Sequence, residues 1–186
     1  WKTYAYDRPP DLPDRLVHAG FVPEEPETLM VGESSALEGL AAAVRGVTFR
    51  ETTADEDLAA IGRLHTEVWQ DDWGWIVEDL RDRADRLGPD GIRILIAEAD
   101  GRVVSAAWLV MRAGSPFAGL WGGTTLAAYR GHGIYRALVS RRAALARQAG
   151  FGFLQVDASD MSRPILERLG FRVLTTTTPY VWRPEV

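Results

Sequence analysis

A glycine-rich segment between two different predicted elements constrains the fold most. Arg130-Gly131-His132-Gly133-Ile134 follows a stretch typical of a strand (118–126) and precedes a stretch with the apolar spacing of a helix (134–149). The two glycines can adopt backbone conformations that other residues avoid, so the chain can turn sharply here. They also let consecutive backbone N–H groups converge on one anion, at the positive end of the helix dipole. The segment therefore predicts a strand, an anion-binding loop and a helix in succession.

Other phosphate-binding motifs do not fit this segment. It has neither the Gly-Lys-Ser/Thr of a P-loop nor the Gly-x-Gly-x-x-Gly of a dinucleotide site. Arg130, Arg136 and His132 could add charge-assisted hydrogen bonds to phosphate oxygens. A tight strand-to-helix turn without any ligand is the alternative interpretation.

The elements around this loop alternate in a definite order from residue 47 onward. Asp100-Gly101 predicts a type I′ hairpin, because both residues tolerate the positive φ angles that this turn needs. The order predicts a mixed, mainly antiparallel sheet flanked by helices. The predicted strands are 47–53, 92–98, 102–110, 118–126, 153–157 and 171–182, and the predicted helices are 55–69, 75–87, 134–149 and 164–169.

The first 34 residues are rich in proline, yet they predict a helix at 12–19 and a strand at 28–31. Residues 15–21 also echo residues 165–171, since both read as a short helix stopped by glycine before a phenylalanine. One interpretation is that residues 1–34 are the tail of a second, degenerate copy of the same fold, with 35–46 as a linker. The other is that a common helix stop arose twice. The start at Trp1 suggests a chain that begins inside a longer gene product.

Composition excludes several classes of protein. The chain has no cysteine, so disulfides, cysteine-ligated metal sites and a cysteine nucleophile are excluded, and a cytoplasmic location is expected. No apolar run is long enough for a membrane span, so no membrane partner is expected. The net charge of −5 argues against nucleic acid as a partner. The three histidines lack metal-ligand spacing, and His18 and His65 are expected to be satisfied structural residues.

Tyr129-Arg-Gly-His-Gly-Ile134 resembles the Arg/Gln-x-x-Gly-x-Gly/Ala signature of the GNAT superfamily of acyltransferases. The order of elements over 47–186 is similar to the GNAT core, and Ile165-Leu-Glu-Arg-Leu-Gly-Phe171 resembles the family's Leu-Tyr-x-x-x-Gly-Phe segment. The resemblance implies an α/β (α+β) fold, a GNAT-like sheet flanked by helices. The acyltransferase domain would be 47–186, and 1–34 would be a partial GNAT-like segment.

The resemblance also implies acetyl-CoA as the co-substrate, with no metal. Backbone groups of Thr124, Thr125 and Leu126 would pair with the pantetheine arm, and Ser159 would lie near the coenzyme. The pyrophosphate would be held by the loop residues Arg130, Gly131, His132, Gly133, Ile134, Tyr135 and Arg136.

Three residues depart from the family pattern. Tyr135 stands where the signature has glycine or alanine, which crowds the helix start but leaves the backbone N–H in place. Leu166 stands where many relatives have a tyrosine that protonates the leaving thiolate, so the usual general acid is absent. Ser159 replaces a frequent asparagine.

The resemblance implies direct attack of an amine on the thioester, with the family's usual donor, a backbone N–H of the strand before the loop, bonding to the carbonyl oxygen. That strand carries no carboxylate, so we take Asp72, in the segment 67–75, as the candidate base or amine anchor; a solvent-facing acid is the alternative. Trp69, Trp73, Trp121 and Tyr180 are candidates for the acceptor pocket, or else they belong to the core.

The expected acceptor is the amine of a small molecule or peptide, and a homodimer is one assembly left open. The other functional hypothesis is a catalytically silent module that binds acyl-CoA, motivated by the absent tyrosine and strand carboxylate. O-acylation and longer acyl groups also stay open.

Overall fold

The computed structural model describes residues 1–40 and 43–182. The described chain divides into two compact units, one of residues 32–154 and one that combines 1–31 with the described part of 155–186. The elements are β1 (Lys2–Tyr4), α1 (Leu12–His18), β2 (Phe21–Pro23), β3 (Glu27–Glu33), α2 (Ser34–Leu37), β4 (Thr48–Glu51), α3 (Asp55–Trp69), α4 (Trp75–Leu87), β5 (Ile92–Ala99), β6 (Arg102–Met111), β7 (Phe117–Thr125), a 3₁₀ turn (Ala127–Tyr129), α5 (Ile134–Gln148), β8 (Phe153–Ala158), α6 (Arg163–Leu169) and β9 (Arg172–Trp182).

The unit of residues 32–154 is built on an antiparallel meander in which β4 pairs with β5, β5 with β6 and β6 with β7. Asp100 and Gly101 connect β5 to β6 with φ angles of 51° and 72°. Positive φ at both residues is the type I′ geometry, so the predicted hairpin is confirmed. The predicted helices at 55–69 and 75–87 are also confirmed.

The β6–β7 ladder contains a β-bulge. Ala106 pairs with Thr124, and Trp108 pairs with Trp121, so two glycines of β7 face one residue of β6 between these pairs. Gly122 has a φ of 63°, and a Cβ added to it would stand 1.9 Å from the Trp108 ring. Only glycine fits this position, since both the backbone conformation and the space exclude a side chain.

Helices α3 and α5 both reach this bulge. The Cβ direction of Gly122 points at Trp108, whose ring neighbours His65 of α3, whereas the Cβ direction of Gly123 points at Tyr135 of α5. Helix α3 therefore neighbours the bulge through Trp108, and α5 neighbours it through Tyr135. Fully buried side chains of α3, such as Leu58 and Ile61, form the core on their side.

The unit that contains residues 1–31 is centred on β9, which pairs antiparallel with β1, β2 and β3. Helix α1 is followed by Gly20 (φ +86°) and α6 by Gly170 (φ +100°), and each glycine leads into the next segment through a left-handed turn. The interpretation of residues 1–34 as a degenerate copy stays a prediction. Helix α2 overlaps the start of the predicted linker 35–46. Residues 41–42 of this linker and residues 183–186 of the predicted domain lie outside the described residues.

None of the helices described here combines the length and the apolar character that crossing a membrane would need.

Candidate functional site

The glycine loop leaves open space above its backbone. Gly131 and Gly133 have φ angles of 79° and 85°, and a Cβ added to either would meet no atom within 4 Å. Both residues are exposed. The left-handed conformation explains why glycine is needed here, and the empty surroundings leave room for a ligand against the backbone.

The start of α5 presents unpaired amides at the same place. The first backbone hydrogen bond of the helix runs from Ala137 N–H to the Gly133 carbonyl over 2.9 Å. The N–H groups of Ile134, Tyr135 and Arg136 therefore have no acceptor within the helix, and the helix dipole adds positive charge beside them. The Ile134 side chain is buried and anchors this end of the helix in the core. Such an arrangement binds phosphate.

The cationic side chains of the loop differ in how many of their hydrogen-bond donors are already used within the protein. Arg130 donates from Nε to the Thr125 carbonyl over 3.1 Å, which ties this side chain to the end of β7. Arg136 donates from Nη2 to the Leu40 carbonyl, so part of its guanidinium is already used. His132 is exposed at the tip of the loop.

The backbone of β7 alternates between bonding to β6 and pointing away from it. Leu126 N–H donates to the Val104 carbonyl over 3.0 Å, so this donor is not free for a ligand. Since alternate residues of an antiparallel strand face opposite edges, the backbone groups of Thr125 point away from β6. Of the three residues predicted to bind pantetheine, Thr125 is therefore the one whose backbone is not directed at β6, although its carbonyl already accepts Arg130 Nε. Ser105 Oγ supports this end of β7 by donating to the Thr124 carbonyl over 2.7 Å.

Arg142, which the sequence did not single out, is the most unusual polar residue of the site. Its side chain is 1% exposed and donates from Nε to the Leu138 carbonyl over 3.1 Å. Nη1 lies 3.3 Å from the carbonyl oxygens of both Trp108 and Trp121, the residue pair beside the bulge. Nη2 is buried without a hydrogen-bond partner among the described residues. Burial lowers the pKa of the guanidinium to about 10, so it stays charged at neutral pH.

Tyr135 shares a helix face with Arg142, because the two residues are seven positions apart on α5. Its ring lies against the bulge, where a Cβ on Gly123 would stand 2.7 Å from Tyr135 Cε2. Burial raises the pKa of the Tyr135 hydroxyl, and the positive charge of Arg142 opposes that rise. The phenol is therefore neutral at physiological pH and lies in the field of a buried cation.

His65 approaches the bulge from α3. The ring is 2% exposed, and its centroid lies 5.2 Å from that of Trp73 and 5.9 Å from that of Trp108. Burial lowers the pKa of His65 to about 4, although the nearby Gly122 backbone slightly favours the protonated ring. Apart from this contact with the Gly122 backbone, neither ring nitrogen makes a hydrogen bond of ordinary geometry among the described residues. His65 is therefore buried, as expected of a structural histidine, and its full hydrogen-bond satisfaction stays a prediction, whereas His18 Nδ1 lies 2.6 Å from the Asp14 carbonyl oxygen.

The residues predicted for the acceptor side are divided between the two compact units. Trp69 is 43% exposed and donates from Nε1 to Thr124 Oγ1 over 3.3 Å, which links α3 to β7. Trp73 is half-buried against the core, and Trp121 is 48% exposed. Asp72 is exposed, and its Oδ1 accepts the Gly74 N–H over 2.8 Å just before α4. These residues belong to the same unit as the glycine loop.

Ser159 and Tyr180 belong to the other unit. Ser159 Oγ lies 3.2 Å from Ser162 Oγ, and its carbonyl accepts N–H groups at the start of α6. Tyr180 is buried, and its backbone exchanges hydrogen bonds with Trp1. Their predicted roles stay predictions.

A cavity of about 350 Å³ lies beside α3 and α4 and is lined by Ala59, Gly62, Arg63, Thr66, Glu67, Gly74 and Val77. Two of these residues, Glu67 and Gly74, lie in the segment 67–75 that the sequence analysis placed on the acceptor side. The cavity does not include Asp72 or the predicted aromatic residues.

A model of the acetyltransferase (GNAT) family matches residues 36–171. The matched range contains the glycine loop, the bulge and all of α3 to α6. A comparison with curated proteins gave no match.

Three solved structures illustrate the likeness in fold, which confirms the predicted fold class. A GCN5-related N-acetyltransferase from Kribbella flavida has a TM-score of 0.67 and 19% identity, with 96% of this chain and 66% of that chain covered. A tandem GNAT protein from the clavulanic acid biosynthesis pathway has a TM-score of 0.65 and 17% identity, with 94% and 60% covered. A predicted acetyltransferase with acetyl-CoA from Clostridium acetobutylicum has a TM-score of 0.58 and 16% identity, with 68% and 90% covered. The chain thus spans 66% of the first relative's length and 60% of the second's.

Proposed function

This chain belongs to the GNAT acetyltransferase family, and we propose that it moves an acetyl group from acetyl-CoA to the amine of a small molecule or peptide. The observation that carries this proposal is the open glycine loop at the start of α5. Three backbone amides without a helical acceptor and a helix dipole lie at one exposed place, next in sequence to Arg130, which suits the pyrophosphate of coenzyme A.

The thioester end of the coenzyme would lie at the bulge. From a pyrophosphate at the loop, the pantetheine arm would follow β7 past Thr125, whose backbone points away from β6. It would end beside Gly122 and Gly123, the residues whose regular pairing with β6 the bulge interrupts. A backbone N–H there is available to the carbonyl oxygen as negative charge develops on it, which is how such donors lower the barrier to acyl transfer.

The acceptor would attack from the side that carries the tryptophans. Exposed indoles at Trp69 and Trp121 offer aromatic faces, and such faces attract a cationic amine before it loses its proton. Asp72 stays our candidate for the group that accepts this proton. The preference for an amine, the transfer of acetyl rather than a longer acyl group and the cytoplasmic location are predictions of the same standing.

Titration calorimetry with acetyl-CoA tests the coenzyme half of the proposal. Gly133→Ala places a methyl group in the space above the loop amides, so we expect weaker binding. Gly150→Ala is the matched control, because Gly150 has almost the same φ angle (86° against 85°) and equally empty surroundings at the far end of α5. Both variants should lose similar stability, and only Gly133→Ala should lose affinity. Failure of the unmodified chain to bind acetyl-CoA would contradict the proposal.

A module that binds acyl-CoA without turnover is the second candidate. It is favoured by Leu166, a fully buried aliphatic residue at the position of the family's acidic tyrosine. Release of free thiol from acetyl-CoA, measured across a broad panel of amines, separates the two candidates. Turnover with any acceptor would exclude the silent module, whereas tight binding with no thiol release throughout would favour it.

A further inference from the structure

We propose that Tyr135, the residue that breaks the family signature, is the general acid that protonates the leaving thiolate. This inference rests on the proposed function, because it requires a thioester at the bulge of β7. It assigns to one unexpected residue the role that Leu166 cannot perform. An aliphatic side chain has no proton to give, and Leu166 is fully buried.

The geometry places the phenol at the right end of the coenzyme. The Tyr135 ring lies over Gly123, with Cε2 2.7 Å from the position of an added Cβ. The absence of a side chain on that glycine makes room for the ring. The same glycine lies in the bulge where the thioester carbonyl would be bound. The residue that crowds the start of α5 therefore has its ring against the bulge of β7.

Arg142 gives the phenol the environment that a proton donor needs. The guanidinium is held at the bulge by the Trp108 and Trp121 carbonyls, and its Nη2 is buried without a hydrogen-bond partner among the described residues. Arg142 has the same helix face as Tyr135, so its charge is available to the phenolate that remains after proton transfer. Burial keeps the phenol protonated before the transfer, since it raises the Tyr135 pKa more than Arg142 lowers it.

The step balances without a further reactant. The acceptor nitrogen forms a bond to the carbonyl carbon, and the C–S bond of the tetrahedral intermediate then breaks with its electron pair on sulfur. The Tyr135 O–H proton moves to that sulfur, which yields the free thiol of coenzyme A. The proton lost by the acceptor amine returns to the Tyr135 oxygen through solvent.

Two substitutions at position 135 test the role. Tyr135→Phe keeps the ring and removes only the proton, so kcat should fall about 10²-fold while the KM for acetyl-CoA is unchanged. Tyr135→Ala restores the small residue of the family signature and should lose activity to a similar extent. Tyr129→Phe is the matched control, because this tyrosine lies six residues earlier, beside the same loop, and packs against the core; its kcat should not change. Where no acceptor is known, hydrolysis of acetyl-CoA supplies the rate.

The affinities for coenzyme A and desulfo-coenzyme A give a second test. A purely structural role of Tyr135 would not change the ratio of these affinities. The phenol should donate a hydrogen bond to the sulfur of free coenzyme A, so the protein should bind coenzyme A more tightly than desulfo-coenzyme A. Tyr135→Phe should remove this preference and leave the affinity for desulfo-coenzyme A unchanged. An unchanged preference, or a Tyr135→Ala variant that is faster than the unmodified enzyme, would overturn the inference. If the unmodified chain binds neither coenzyme A nor desulfo-coenzyme A, the proposed function itself is contradicted. If it binds both and Tyr135→Phe changes neither affinity nor kcat, only the proposed role of Tyr135 is contradicted.

Discussion

Tyr135 and Gly123 are in contact across the α5–β7 interface, with the Tyr135 ring in the space that a side chain at position 123 would occupy. This contact joins the two parts of the candidate site, the anion-binding start of α5 and the bulge of β7. Arg142 reinforces the same junction through the carbonyls of Trp108 and Trp121. A change in the bulge should therefore also displace the Tyr135 ring at the start of α5.

Gly122→Ala should destabilise the fold and reduce acetyl transfer. The added Cβ would stand 1.9 Å from the Trp108 ring, and Trp108 is itself packed in the core beside His65. We expect the free energy of unfolding to fall by roughly 3 kcal/mol or more, from overpacking combined with the left-handed backbone. Urea unfolding monitored by tryptophan fluorescence measures this change.

Gly114→Ala is the control for that substitution. Gly114 also has a positive φ angle (81°), but nothing lies within 4 Å of its added Cβ. It should lose only the roughly 1–2 kcal/mol of the left-handed conformation and keep full activity. Equal losses for the two variants would show that the Trp108 contact does not hold the bulge.

Helices and turns could be predicted from the sequence where a local residue pattern determines their boundaries. The boundaries of α3 and α4 follow from apolar spacing together with acidic first turns and Gly88, and Asp100-Gly101 specifies its hairpin. The bulge could not be predicted with the same rules, because Gly122-Gly123 in a strand is equally compatible with a turn or a weak strand. A pair of glycines inside an otherwise β-forming stretch is nevertheless the signal that could have located it.

The buried arginine of the site also could not be predicted, because its partners on the strands are distant in sequence. Arg142 lies on the apolar face of α5, four residues after Leu138, and a charged residue in such a stripe is the signal that could have revealed it. What it bonds depends on the carbonyls of two strands distant in sequence, and no local pattern encodes those partners. The same applies to His65, whose burial depends on packing against Trp73 and Trp108.

Arg142→Lys should be less stable than Arg142→Met. Methionine removes the three donations to the Leu138, Trp108 and Trp121 carbonyls together with the buried charge. Lysine keeps a charge in the same apolar surroundings but cannot reach these acceptors with a planar fork of donors. We expect a loss of about 1–3 kcal/mol for Arg142→Met and a larger loss for Arg142→Lys, measured by urea unfolding at pH 7. A lysine variant as stable as the unmodified chain would mean that the carbonyl contacts are dispensable.

His65 should make the fold less stable as the pH falls from about 6.5 to 4. The folded state holds the His65 pKa near 4, below its ordinary value of 6.5, so the unfolded chain binds a proton in this range and the folded chain does not. The stabilisation is complete above pH 6.5 and lost below pH 4, with a total of about 3 kcal/mol. Unfolding free energies at a series of pH values measure the slope.

His65→Phe should remove most of that slope. Phenylalanine keeps an aromatic ring between Trp73 and Trp108 and introduces no unpaired polar atom, so stability at pH 7 should be unchanged or about 1 kcal/mol higher. His18→Phe, a substitution at an exposed histidine of α1, serves as the control and should keep the slope. A His65→Phe variant with the same pH dependence as the unmodified chain would assign the slope to other groups.

Asp72→Asn should separate the two roles that Asp72 can have. The Asp72 Oδ1 atom accepts the Gly74 N–H before α4, and the asparagine side-chain oxygen can accept the same hydrogen bond. Asparagine cannot take a proton from an acceptor amine, so a catalytic Asp72 predicts a kcat about 10²-fold lower with the stability of α4 preserved. Asp72→Ala should lose both the turn and the activity. Asp71→Asn, at the neighbouring acid whose Oδ1 accepts the Asp72 N–H, should leave the rate unchanged. If Asp72→Asn is as active as the unmodified enzyme while Asp72→Ala is merely less stable, Asp72 acts only in the turn, and the proton of the amine leaves by another route.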